Sequence, residues 1–230
     1  MLAELSDLLR AVPAGATREA YIRAVIDENV LGKQTAATRQ LTSQRLVELY
    51  ALDLKVPVFR VLRKVWDADE AGRPLSAMLC ALARDPLLRA TAASVLELSA
   101  GAELVRTELL AALRACVGTR LNDAVLDKVA RNAASSWSQA GHLEGRVRKL
   151  RRLVVATPGP VALALWLGSI EGLAGEHLLT SRWTQVLDGA GAELVPTVLQ
   201  AKRLGLLAAS IGGGVTNIDV TKLAAASAAR

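Results

Sequence analysis

The stretch SSWSQAGHLEGRVRKLRR, residues 135–152, decides how the chain is read. Between positions 131 and 152 six basic side chains stand against one acid, Glu144, so this short segment holds five of the six net positive charges of a 230-residue chain. Charge concentrated in one place is a candidate polyanion contact, whereas the same charge spread evenly says only that a protein is basic. Arg146, Arg148, Lys149, Arg151 and Arg152 fall within seven positions, and no acid follows Glu144 until Glu171. Their alternation with apolar residues predicts a β-wing, with Val147, Leu150, Leu153, Val154 and Val155 packed beneath and the basic side chains displayed.

Just upstream, Leu121 to Asn132 reads as an amphipathic helix with Leu121, Val125, Leu126 and Val129 inward. The polar pair Ser135-Ser136 predicts a break, followed by a short recognition segment and the wing: a helix-turn-helix with a wing. In that layout Ser138, Gln139 and His142 touch phosphate or a base edge. His142 has a second reading, a helix-end histidine bonded to a backbone carbonyl. Trp137 reads as the core anchor of the turn.

Ala, Leu and Val supply most of the 52% apolar content and aromatics only 3%, which favours closely packed helices over sheet. Helices are expected over 1–12, 17–31 (capped by Thr17), from Thr35 or Thr38 through Tyr50, from Pro57 through Trp66, and over 74–84, 86–99 and 102–117. Asp85 is the expected cap before Pro86. After Thr157-Pro158-Gly159-Pro160, helices are expected near 160–172, 178–187 and 193–204. Two β-prone runs around Gly212 to Gly214 then form a hairpin, and Ala224 to Arg230 forms a tail that frays. The fold class is therefore mainly α: a helical bundle with winged-helix-like elements and a short C-terminal hairpin. Expected units are an N-terminal bundle over 1–120, a helix-turn-helix with a basic wing over 121–158, and a second winged-helix-like unit over 159–230.

A second basic group, Lys33, Arg39 and Arg45, lies in a stretch free of acids from Asn29 to Val47, near an expected helix start suited to phosphate. Catalysis has little to draw on. His142 and His177 lack metal-ligand company, no serine stands in a nucleophile elbow, and GlyGlyGly falls in a hairpin turn. No cofactor or metal is expected, and Cys80 and Cys116 read as buried core residues. The N-terminal MLAELSDLLRAV carries Glu4 and Asp7 ahead of any basic residue, so it reads as an amphipathic helix and not a signal peptide. No apolar run approaches the roughly 18 residues of a membrane span. The expected location is cytoplasmic, with no membrane partner.

Three motifs carry a family resemblance: Asn29-x-Leu31-x-Lys33-x-Thr35-x-x-Thr38-Arg39 with Arg45-Leu46; Ala83-Arg84-Asp85-x-Leu87-Leu88; and Trp137-Ser138-Gln139-Ala140-Gly141-His142-Leu143. Together they resemble the BrxA proteins of BREX bacteriophage-defence systems, over about residues 20 to 220. The resemblance implies a helical core similar to the antitermination factor NusB, winged-helix-like elements, non-enzymatic binding of double-stranded DNA and other defence-system proteins as partners. It carries over no catalytic residue. Two other functions fit the same charge pattern: an RNA-binding, antitermination-like protein, and a scaffold that binds other proteins through its Ala/Leu-rich helices.

Overall fold

The computed structural model describes residues 1–213 and 215–225. The chain opens with α1 (Leu2–Ala11), α2 (Arg18–Ile26) and α3 (Ala36–Tyr50). Thr17 caps α2 by accepting the Ala20 N–H at 3.3 Å, and Thr35 caps α3 by accepting that of Thr38 at 3.2 Å. Next come α4 (Pro57–Ala68) and α5 (Arg73–Arg84), each with proline in its first turn, where no N–H partner is missed. The Arg84 guanidinium donates to the Val47 and Glu48 carbonyls at the end of α3. Asp85 caps α6 (Pro86–Ala90) through the Leu87 and Leu88 N–H groups, and α7 (Ala92–Leu96) follows.

Beyond α7 the structure departs from the expected helix pattern. The helix expected over 86–99 is split at buried Thr91, whose hydroxyl donates to the Leu88 carbonyl at 2.6 Å. The next, α8, covers Arg106–Val117 and not 102–117. The residues before it are extended and pair with the wing: Glu103 bridges Leu150, and Leu104 N–H donates to the Lys149 carbonyl at 2.8 Å. Gly118, at φ +57°, turns the chain into α9 (Asp123–Gln139), capped by Asn122. No break occurs at Ser135-Ser136. Ser136 and Ser138 donate their hydroxyls to the carbonyls of Asn132 and Ala134 one turn back, so α9 runs through them.

Two short strands complete this unit, β1 (Leu143–Glu144) and β2 (Leu150–Arg151), paired antiparallel as Leu143 with Arg151 and Glu144 with Leu150. The lateral order is extended 102–104, then β2, then β1. Helix, strand, α8, turn, α9 and hairpin in this sequence and pairing form a winged-helix-like element. Residues 102–104 and α8, upstream of position 121, pack with α9 and the wing. A small core, Leu109, Leu113, Val117, Leu126, Ala130 and Ala134, lies between α8 and α9.

The C-terminal part begins with α10 (Pro158–Ile170), which is buried on every side from Gly159 to Gly168 and packs on α4 and α5. Its start is held by Asp69, whose carboxylate accepts the Thr157 hydroxyl at 2.6 Å and the Gly159 N–H at 2.8 Å. The helix expected over 178–187 is instead a 3-10 turn, Gly175–Thr180, and the single turn α11 (Arg182–Gln185). After a second 3-10 turn, Gly191–Leu194, come α12 (Val195–Arg203), the antiparallel pair β3 (Ala208–Gly212) and β4 (Val215–Asp219), and α13 (Thr221–Ala224). The chain is mainly helical with a C-terminal hairpin. Gly214 of the glycine turn and the tail from residue 226 lie outside the described residues.

One hydrophobic cluster runs from Leu5 to Leu223 and joins the N-terminal helices to the C-terminal part. All four tryptophans and Cys80 are buried in it, and burial pushes the Cys80 thiol up to about 12. Cys116 is exposed on α8, contrary to the expected burial, because the apolar stripe of that helix falls on Leu109, Leu113 and Val117. No helix among the described residues is long and apolar enough to cross a membrane.

Candidate nucleic-acid interface

Helix α9 buries Leu126, Ala130, Ala133, Ala134 and Trp137 and turns Lys128, Arg131, Asn132, Ser135 and Gln139 to solvent. Both acids of this helix are used by α8. Asp127 pairs with Arg106 at 2.6 Å, and Asp123 pairs with Arg114. Lys128 and Arg131 make no ion pair among the described residues, so the outward face of α9 is cationic and carries an amide. Lys128, Arg131 and Asn132 are not among the contacts expected from the sequence, where only the inward apolar stripe of this helix stands out. Their spacing of three and four is the complement of that stripe and was there to be seen.

The wing flanks one side of α9. Lys149 Nζ donates to Ser138 Oγ at 2.8 Å and to the Gly145 carbonyl at 3.3 Å, which ties the wing base to the last turn of the helix. Arg148 pairs with Glu103 and Arg152 with Glu144, both at 2.7 Å, and both guanidinium groups stay largely exposed. Arg146 is exposed and makes no ion pair among the described residues. Chain order could not show that Glu103 would lie beside Arg148, 45 residues on, since the pairing of Glu103 with Leu150 brings it there.

Arg151 corrects the expected display of five cations. Its side chain is fully buried and pairs with Asp188, whose other oxygen accepts the Val154 N–H at 2.7 Å. The central strand β2 has one face toward the C-terminal part, and Arg151 lies on it. The expected apolar underside is likewise reversed in part: Val147, Leu153 and Val155 are exposed. The strands are too short to sustain the alternation.

His142 is buried too, so it does not stand at an exposed recognition segment. Its Nε2 lies 2.7 Å from the Val186 carbonyl and must donate to it, and its ring meets Trp137 edge to face at 4.8 Å. Trp137 in turn donates to Thr91 Oγ1 at 2.9 Å. Gln139 is engaged as well: its Oε1 accepts the N–H groups of Met1 and Leu2 at 3.1 and 3.0 Å. Ser138 is occupied by Lys149. Of the three residues expected to read nucleic acid in this segment, none is free.

On the other side of α9 an open groove separates it from α3. Arg45 and Thr42 form one wall, Lys128, Asn132 and Ser135 the other, and Pro86, Leu87 and Leu88 part of the floor. Arg45 is exposed and pairs loosely with Glu48 at 3.5 Å. The second basic group therefore does not act as one patch. Lys33 pairs with Glu4 at 3.1 Å, and Arg39 keeps a buried Nε, leaving Arg45 alone on the groove. Among the described residues no group of three or more His, Cys, Asp or Glu side chains could hold a metal ion. Comparison with family models, with curated proteins and with solved structures gave no match.

Proposed function

We propose that this chain is a non-enzymatic, duplex-DNA-binding protein that lays α9 in the major groove and its wing across the neighbouring backbone. One observation carries the reading. Within a winged-helix-like arrangement, α8 neutralises both acids of α9, leaving Lys128, Arg131 and Asn132 facing outward, while Arg146, Arg148 and Arg152 are exposed on and beside the wing. A helix of 17 residues extends about 25 Å and fits the ~12 Å width of a major groove. The exposed pairs Arg148–Glu103 and Arg152–Glu144 are weak and exchange readily for phosphate.

The role we propose is that of an accessory protein in a BREX-type phage-defence system, acting in the cytoplasm with other proteins of that system. Support for this is the motif resemblance to BrxA alone. Several motif residues hold the fold: Thr35, Arg84 and Asp85 bind helix ends, and Trp137 and His142 bind each other. RNA binding is the weaker alternative, because no aromatic side chain lines the groove or the outward face of α9, and unpaired bases are held largely by stacking. Binding to matched duplex DNA, single-stranded DNA and duplex RNA over a salt series tests the reading. Duplex DNA should bind tightest. Absence of binding to all three at low salt would favour a protein scaffold.

A further inference from the structure

Three helices shape the groove beside α9. Helix α5 packs against both α3 and α9, and its end at Arg84 and Asp85, with Leu87 and Leu88 of α6, makes the floor. The C-terminal ends of α3 and α9 come together where Leu49, Tyr50, Ser136 and Gln139 line one small cavity. From there toward Leu41 and Lys128 the groove runs between the two helices for about 16 Å, roughly three helical turns. Its floor is apolar and its rim cationic. Leu41 is 54% exposed, Pro86 is exposed, and Leu87 and Val129 are only partly covered by the small core under α9. Lys128 makes no ion pair among the described residues, and Arg45 has only its loose contact with Glu48. Both acids of the lining are engaged within the chain: Glu48 accepts from Gln44 Nε2 at 2.9 Å, and Asp85 accepts the Leu87 and Leu88 N–H groups. The charge left for a ligand is positive.

We infer that this groove docks an acidic amphipathic helix of a partner protein, its apolar stripe on Leu41, Leu87 and Val129 and its carboxylates on Arg45 and Lys128. Length, apolar floor and cationic rim together decide the occupant. A helix of about three turns presents apolar side chains at positions i, i+3, i+4 and i+7, the stripe that a groove of this length accepts. Acids flanking the stripe meet Arg45 on one wall and Lys128 on the other, which sets the register and excludes basic segments. A nucleic-acid backbone would meet the cations but has no apolar stripe for Leu41 and Leu87. A second copy of this chain brings a net charge of +6, the wrong sign. The inference stands apart from the duplex reading. A helix seated here covers Lys128 and Asn132, so partner and duplex compete for α9.

Selection of peptides of about 16 residues from a random display library against the full chain, without DNA, tests the inference. Enriched sequences should carry Leu, Ile, Met or Phe at helical spacing, flanked by Asp or Glu. A synthetic copy of the most enriched peptide should bind Leu41→Asp about tenfold more weakly than wild type, the scale of one lost anchor. The variant Arg45→Glu/Lys128→Glu should reject that peptide and accept a version with its acids changed to lysine. All three substitutions lie at exposed positions, so each variant should melt near the wild-type temperature. The wing variant Arg146→Ala/Arg148→Ala should bind the peptide as wild type does. Enrichment of no acidic amphipathic sequence, peptide affinity unchanged in the groove variants, or peptide binding lost in the wing variant would overturn the inference. Because no DNA is present, a failure of duplex binding would sink the functional reading and leave this inference standing.

Discussion

Arg151 and Asp188, 37 residues apart, form an ion pair in which the arginine side chain is wholly buried and the aspartate 7% exposed. The pair fixes the central wing strand to the C-terminal part of the chain and removes one cation from the surface. Breaking such a pair on one side leaves an uncompensated charge, so Asp188→Asn should cost about 3 kcal/mol or more in denaturant unfolding. The double variant Arg151→Met/Asp188→Asn should recover most of that loss. It should also keep the wild-type salt dependence of duplex binding, since Arg151 does not face a ligand. A single variant as stable as wild type would show that the pair does not hold the wing.

Arg148 and Arg152 should behave in the opposite way. Both are exposed, with partners on the surface, so alanine at either position should leave the melting temperature close to that of the wild type. Each replacement should flatten the slope of log affinity against log salt by about 0.9. Stability loss without any change of slope would make them structural.

Asn132 and Lys128 separate base reading from phosphate contact on one helix. Asn132→Ala should reduce discrimination between duplex sequences by about 1–3 kcal/mol, as for a bidentate amide on a base edge. Lys128→Ala should weaken all sequences alike. Binding-site selection with each variant measures both; a uniform loss for Asn132→Ala would place α9 outside the major groove.

His142 predicts an acid-sensitive step. Burial lowers its pKa below the ordinary 6.5; the bond to the Val186 carbonyl and Asp188 oppose this, and Arg151 reinforces it. Below 6.5 the unfolded chain takes up a proton that the native state resists, so stability falls as pH drops through that value and on to the lowered native one. His142→Gln keeps a donor for Val186 and should flatten this part of the profile. An unchanged profile would assign the acid sensitivity to other groups.

Much of the fold was legible because it rests on local chemistry. Thr17, Thr35 and Asp85 cap where a hydroxyl or carboxylate precedes a helical pattern, and the run from Val161 to Leu167 is buried throughout because it is apolar on all sides. Two of the differences come from pairing across distance. Ala102 to Leu104 looked helical but is drawn into the wing sheet, and the split at Thr91 accompanies its bond to Trp137, 46 residues on. The cation count along the chain located the wing. It could not show that Asp188 would take Arg151, or that Arg106 and Arg114 would strip α9 of its acids.

The most direct test of duplex binding through α9 and the wing is the salt dependence of duplex affinity for wild type and the variant Arg131→Ala/Arg146→Ala/Arg152→Ala. All three side chains are exposed, Arg131 on α9 and Arg146 and Arg152 on and beside the wing, and none belongs to the core. At about 0.9 per lost phosphate contact, the variant slope should be shallower by between about two and three. Equal slopes for the two proteins would contradict the assignment of this face to DNA.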